Sequence, residues 1–187
     1  MMAEDGARSR SHGLPKALIE EQARSLGIPI VFRSASWEEY EGVFISALRE
    51  FRESGIKAGV FGDIDIDSHR EWVQRVCALT DITPVHPLWK RDRRELLDEF
   101  IGLGFKAIII ALKHDKLGKK FLGRAINRET VADLEKAGVD ASGESGEYHT
   151  IVTAGPTFSS DILLETKGQV GHNGYWFLKM ESEQNTG

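Results

Sequence analysis

Cysteine is almost missing from these 187 residues. Cys77 stands alone, so no internal disulfide can form, and a reducing compartment fits. Long apolar runs are missing as well. The longest, residues 107–112, is far short of a membrane span. The opening MMAEDGARSRSHG lacks the apolar centre of a secretory signal, and the chain reads as cytoplasmic. There is no excess of positive charge. A net charge of −5 argues against a general nucleic-acid-coating role, although it permits local basic patches. Neither GxxxxGK[ST] nor a GxGxxG following a strand occurs, so the usual glycine loops give no sign of a bound nucleotide. No second His/Cys pair with zinc spacing accompanies Glu147 and His149, which argues against a zinc site. The run Asp63, Asp65, Asp67 has the spacing that opens an EF-hand. Ser68 then stands where that loop needs glycine, and Gln74 where it needs glutamate.

What remains is the composition of an ordinary soluble domain: 41% hydrophobic and 28% charged, enough to bury a sizeable core. The first part alternates helix and short apolar strand. Leu14 and Leu18 mark the first helical face, with Ser11 near its N-cap, and Gly27 ends it. Residues 28–32 (IPIVF) read as a buried strand. Ser36 to Glu39 has the form of a capping box, followed by Tyr40, Phe44, Leu48 and Phe51 at helical spacing. Residues 58–61 form another short strand. Ser68 to Glu71 is a second capping box before Trp72, Val76 and Leu79. Pro84 and Pro87 keep residues 83–89 extended. Leu96, Leu97, Phe100 and Ile101 are the buried face of a further helix. Cys77 belongs to a helix stripe and reads as core. The rings of Trp37, Trp72 and Trp89 read as packing.

This alternation predicts a parallel sheet with helices on both faces. After Leu112 the character changes, and a domain boundary is expected near residue 105. KAIIIAL is the most strand-like run, and a short helix is expected over 127–137. Strand candidates at 148–154, 161–165 and 175–180 then follow without intervening helix, which favours antiparallel pairing. The expected fold class is therefore α/β, followed by a smaller α+β domain with antiparallel strands. The expected domains are residues 1–105 and 106–180, with 181–187 a disordered tail.

Two stretches carry candidate chemistry. Gly62 and Asp63 lie at the C-terminal end of a predicted parallel strand, where open α/β sheets bind ligands, although an acidic helix-capping turn would look the same. Residues 139–158, VDASGESGEYHTIVTAGPTF, lead from a glycine-rich turn into a strand. They gather Gly143, Glu144, Gly146, Glu147, His149 and Thr150 within eight positions. Two readings stay open for them: a polar turn into an edge strand, or a ligand loop with a titratable imidazole. The cationic groups Lys90, Arg91, Arg93, Arg94 and Lys113, Lys116, Lys119, Lys120 suit either phosphate contacts or solvated surface.

The motifs GVFGDI (59–64), REWVQRVC (70–77), PLW (87–89), LGKKFLGRAIN (117–127) and above all GESGEYHTIVTAGPTF (143–158) resemble the diphthine–ammonia ligase family, within the ATP pyrophosphatases of the adenine nucleotide α-hydrolase group. The resemblance implies a Rossmann-like ATP-binding domain and a smaller family-specific domain. It implies ATP-dependent amide formation with Mg²⁺: a carboxylate attacks the α-phosphorus, pyrophosphate leaves, and ammonia displaces AMP. Diphthine on elongation factor 2 is the implied acceptor. By resemblance Glu144, Glu147 and His149 are the catalytic candidates and line the acceptor side with Thr150; Gly62, Asp63, Gly143, Gly146 and Thr150 are the cofactor-binding candidates, with Asp63 near the nucleotide crevice. The family's Gly-Gly-Lys-Asp loop, which wraps the ATP phosphates, does not occur in this sequence. The expectation is therefore that the chain alone binds ATP weakly and corresponds to an N-terminally truncated sheet. The alternatives are a non-catalytic fragment or partner subunit retaining the acceptor domain, and an RNA-modifying relative using the basic clusters. Homo-oligomerisation stays open.

Overall fold

A computed structural model of the protein describes residues 1–182. In chain order the elements are α1 (Lys16–Ser25), α2 (Tyr40–Glu53), β1 (Ala58–Val60), α3 (Asp67–Ala78), β2 (Thr83–Val85), α4 (Arg93–Gly102), β3 (Lys106–Lys113), α5 (Arg128–Lys136), β4 (Tyr148–Ala154), β5 (Leu164–His172) and β6 (Tyr175–Ser182). They form two compact units. One comprises Met1–Gly6 and Val31–Arg93; the other comprises Ala7–Ile30 and the chain from Arg94 onward.

In the first unit β1 and β2 pair in parallel, with Gly59 opposite Pro84. The apolar stripes of α2 and α3 meet in one cluster: Leu48, Val73, Val76 and Cys77 pack with Ile82, joined by Phe44, Phe51 and Trp72. The Ser36 box forms as expected. The Glu39 amide donates to Ser36 Oγ at 3.1 Å, and the Ser36 amide donates to Glu39 Oε2 at 3.2 Å. The second box does not form. Helix α3 begins at Asp67, so Ser68 already lies in its first turn and Ile66 takes the N-cap position without a side-chain bond.

Residues 28–32 are a second correction: they are not a strand. Their vicinity holds only a parallel bridge between Met2 and Ser34, and a strand needs a longer ladder. Ile28, Ile30 and Val31 stay exposed.

The second unit is built on an antiparallel four-stranded sheet in the order β4-β3-β6-β5. The central strand β3 is nearly all buried, which is why its sequence is a continuous aliphatic run. One face packs Ile109 and Leu112 against Val131 and Leu134 of α5 and Leu97, Phe100 and Ile101 of α4. The other packs Ile110 and Ile151 against Leu14 and Leu18 at α1. Alternation sends Ile109 and Ile110 to opposite faces, and a bulge between Ile109 and Ala111 lets Ile109 and Leu112, three residues apart, share one face. Helix α1 starts later than the sequence suggests, at Lys16 with Pro15 as N-cap. Residues 9–14 instead close a turn, with the Ser9 amide bonded to Leu14 O at 2.8 Å. Asn127 caps α5 by accepting from the Thr130 amide at 2.8 Å.

Strand β5 occupies Leu164–His172, further along than 161–165, because its pairing is set by the tight hairpin at Asn173 and Gly174. Glu181 and Ser182, expected in a tail, are the closing rungs of β6 opposite Glu165 and Leu164. Residues 183–187 of that expected tail lie outside the described ones. Among the described residues no helix is long and apolar enough to cross a membrane.

Candidate functional site

The glycine-rich run ahead of β4 is held by Asp140. Its carboxylate accepts from the Ser142 amide at 3.0 Å, the Ser142 hydroxyl at 2.7 and 2.8 Å, and the Glu144 amide at 3.1 Å. Gly143 then turns with φ +73°, and the Gly146 amide closes onto Gly143 O at 3.0 Å. The buried phenol of Tyr148 donates back to Ala141 O and plugs the turn. A Cβ at Gly143 would meet the Tyr148 ring at 3.1–3.3 Å. Glycine is therefore required there twice over, by backbone and by contact. Gly143→Ala is expected to lower unfolding stability by about 2 kcal/mol, against about 1 for Gly146→Ala, whose nearest neighbour is the tip of Lys113 at 3.9 Å. Urea unfolding of the two variants side by side checks this ordering.

Strand alternation then divides the candidates. Tyr148 lies opposite Leu112, and both belong to the cluster under α4 and α5. Thr150 shares that face and lines a shallow hollow of about 130 Å³ with Ser142, Tyr148, Val152, Leu97 and Phe100. His149 lies opposite Ala111, which in turn lies opposite Phe177, on the other face. Its ring stands 4.7 Å from that of His12 and stacks on Tyr175 at 6.1 Å.

The electrostatics follow the same division. Burial, with the charges of Asp140, Glu147 and Glu144, pushes the Tyr148 phenol upward. The His149 imidazole is pushed down to about 4 by burial, then by His12 and Lys113. So Glu144 and Glu147 act on Tyr148, and His149 answers to His12 and Lys113. Glu147 Oε2 is buried and has no hydrogen-bond partner among the described residues.

His149 ties stability to pH. Its folded pKa lies below the ordinary 6.5, so the folded state binds fewer protons between those values. The stability is present above pH 6.5 and is lost as pH falls toward 4. From pH 7 to pH 5 this side chain should remove about 2 kcal/mol. Urea midpoints should therefore fall more steeply for the wild type than for His149→Gln; parallel falls would contradict the assignment.

In the first unit Asp63 follows β1. Its oxygens stand 3.6 Å from His86 Nε2 and 3.7 Å from His69 Nδ1. The His86 side chain is 6% exposed, and its Nε2 is buried without a hydrogen-bond partner. The neighbouring acids close other contacts. Asp65 takes a two-pronged grip from Arg93, whose Nε donates at 2.8 Å and whose guanidinium holds the carboxyl below its usual range. Asp67 stands 3.4 Å from Lys90. Within the expected cationic cluster, Lys90 and Arg93 thus engage carboxylates, and Arg94 engages Asp98 and Glu135. Trp89 carries the Arg70 guanidinium at 4.6 Å and the Lys90 ammonium at 4.8 Å, so this ring stacks cations as well as packing. Gly62 has open space where a Cβ would stand and an ordinary φ, so the fold itself does not require glycine there.

Sequence reading missed His12 and His86. His86 carries a usable signal, an imidazole directly after a parallel strand. His12 has only its place in a Gly-Leu-Pro turn.

Residues 1–83 match the family model for the diphthamide synthase N-terminal domain, and residues 92–184 that for the diphthamide synthase C-terminal domain. The diphthine–ammonia ligase of Danio rerio is 31% identical over 189 residues, covering 93% of this chain and 73% of that protein. The chain belongs to the diphthine–ammonia ligase family. The diphthine–ammonia ligase of Rattus norvegicus is 32% identical over 157 residues, and that of Homo sapiens is 30% identical over 159. Each of these two alignments covers 81% of this family member and 58% of the relative. The family chain thus spans little more than half the length of those mammalian ligases.

Proposed function

We propose that the chain catalyses ATP-dependent amide formation, in which a carboxylate, ammonia and ATP give an amide, AMP and pyrophosphate. Family membership supports the reaction class. The observation that carries the site is Glu147 Oε2, buried without a donor. An orphaned buried acceptor costs about 1–3 kcal/mol, and a group offering N–H recovers it. Ammonia is such a group, and a carboxylate is the natural place to hold it and to take its proton.

The steps balance without a redox partner. A carboxylate oxygen of the acceptor bonds to the α-phosphorus. The bond from that phosphorus to the bridging oxygen breaks, and pyrophosphate leaves with the electron pair. The nitrogen lone pair of ammonia then attacks the acyl carbon, AMP leaves, and the surplus proton passes to Glu147. His149, uncharged near neutral pH, orients the acceptor through hydrogen bonding. Glu144, Gly143, Gly146 and Thr150 shape the acceptor loop; Gly62 and Asp63 serve the nucleotide side at the strand ends. The acceptor is diphthine, as in the relatives' name; that it is carried on elongation factor 2 is what the family resemblance implies.

Mg²⁺ would arrive on the phosphates. Among the described residues no group of three or more His, Cys, Asp or Glu side chains is placed to hold a metal. Mg²⁺ commonly keeps its waters and takes only one or two carboxylates beside substrate phosphates. Asp63, flanked at 3.6 and 3.7 Å but with no shorter polar contact of its carboxylate among those described, fits that place. Bound there, the ion would neutralise phosphate charge.

The test is an incubation with ¹⁵N-ammonia, a diphthine peptide and millimolar Mg-ATP. AMP and ¹⁵N-amide are expected in equal amounts. Acceptor binding without nucleotide cleavage would instead establish the second reading, a module that only holds the acceptor.

A further inference from the structure

Lys113 ends β3 half-buried, and its ammonium has no carboxylate partner among the described residues. It stands 5.9 Å above the Tyr175 ring, to which Lys113 is paired across the strands. Tyr175 also stacks on His149, which faces His12. Two imidazoles and an ammonium are thus gathered on one face of the sheet around a single phenol ring. The groups facing His149 from the packed elements are His12 from the turn before α1, Lys113 from β3 and Tyr175 from β6. The Tyr175 hydroxyl is already engaged, donating to Gly146 O at 3.2 Å. The acid nearest His149 in sequence is Glu147; its carbonyl accepts from the Lys113 amide at 2.8 Å, and its charge acts on Tyr148.

The turn that delivers His12 is well tied. Arg8 donates to Gly13 O at 3.0 Å, and the Leu14 amide donates to Ser9 Oγ at 3.0 Å. Gly13 lies directly on Phe177, where a Cβ would touch the ring at 3.4 Å. The outer side of His12 remains exposed, so the cluster is open to a solute.

Donors without acceptors, beside an unpaired cation, make an anion site. We propose that His12, His149 and Lys113 form a binding site for a small oxyanion, a carboxylate or a phosphate. Family resemblance places only His149 on the acceptor side; His12 and Lys113 lie outside the motif that carries His149 and Glu147. The proposal deepens the amide-forming reading by naming where the acceptor's carboxylate or a nucleotide phosphate docks, and it rests on that reading only for the identity of the anion.

The inference has a direct test on the whole chain, using sodium acetate and inorganic phosphate as probes. Imidazole ¹H–¹⁵N spectra of the wild type are followed against pH in chloride, acetate and phosphate. A bound anion favours the protonated ring, so the His149 midpoint should rise by at least one pH unit, and affinity should increase from pH 7 to pH 5. Lys113→Gln should weaken binding about tenfold by calorimetry, and His12→Gln by a few-fold, with unchanged circular dichroism. Stronger binding of acetate assigns the site to the acceptor; stronger binding of phosphate assigns it to the nucleotide. Midpoints that ignore both anions, or equal affinity in Lys113→Gln, overturn the proposal. Glu147→Gln should bind both anions normally. A failure of amide formation alone is therefore distinguishable from a failure of the anion site.

Discussion

Glu147→Ala is expected to lower the rate of amide formation by about a thousandfold while leaving the fold intact, and His149→Ala is expected to be comparably damaging. The first loss is that of a positioned acid at the reacting nitrogen, for which factors of about 10²–10⁴ are usual. Glu147 carries little of the fold. Among the described residues its Oε2 makes no hydrogen bond, and the loop is held instead by Asp140 and by the phenol of Tyr148. Truncation should even relieve the cost of a buried unpaired oxygen. Glu147→Gln separates the roles: it keeps the shape and a hydrogen-bonding carbonyl but cannot take a proton, so it should bind acceptor normally and turn over slowly. Steady-state kinetics with urea unfolding on the same samples provide the check. Wild-type rates in either alanine variant would remove these residues from the mechanism.

Leu112→Ala is expected to cost about 3–4 kcal/mol in unfolding free energy, the upper part of the range for a buried leucine that leaves a cavity. Leu112 is fully buried in the middle of the sheet, paired with Tyr148 on one side and Trp176 on the other. Both neighbours are large rings fixed by their own contacts. Tyr148 is tied to Ala141 O, and Trp176 lies 3.5 Å beneath the Lys119 ammonium. Neither can collapse into the space. The loss would be a large fraction of the stability of a typical domain. Leu163→Ala, half exposed, should change stability by no more than about 0.5 kcal/mol and serves as the comparison. Chemical denaturation of the two variants reads the difference.

Much of this architecture was legible from residue spacing. The stripe Phe44, Leu48, Phe51 and the KAIIIAL run each bury as their periodicity requires. The Ser36 box was readable because both halves are local and chemically specific. Its twin at Ser68 misled because Asp67 joins the helix one residue earlier, a choice made by the preceding loop. IPIVF misled for a different reason. Apolar composition says that a segment suits a strand, but only a neighbouring ladder makes it one, and that is not written in the segment.

At the candidate site the sequence places Glu144, Glu147, His149 and Thr150 side by side. Strand alternation, applied to Tyr148, His149 and Thr150, already implies that the imidazole faces away from its two neighbours. What could not be read was its company. His12 lies more than a hundred residues away and reaches His149 only through the turn before α1. His86 likewise becomes meaningful only beside Asp63.

The most direct measurement follows oxygen. With the acceptor carboxylate labelled with ¹⁸O, and with Mg-ATP and ammonia supplied, one labelled atom should appear in AMP for the wild type and essentially none for Glu147→Ala in the same interval. Amide formed with no label in AMP, or equal labelling in the two proteins, would contradict adenylylation at a site that depends on Glu147.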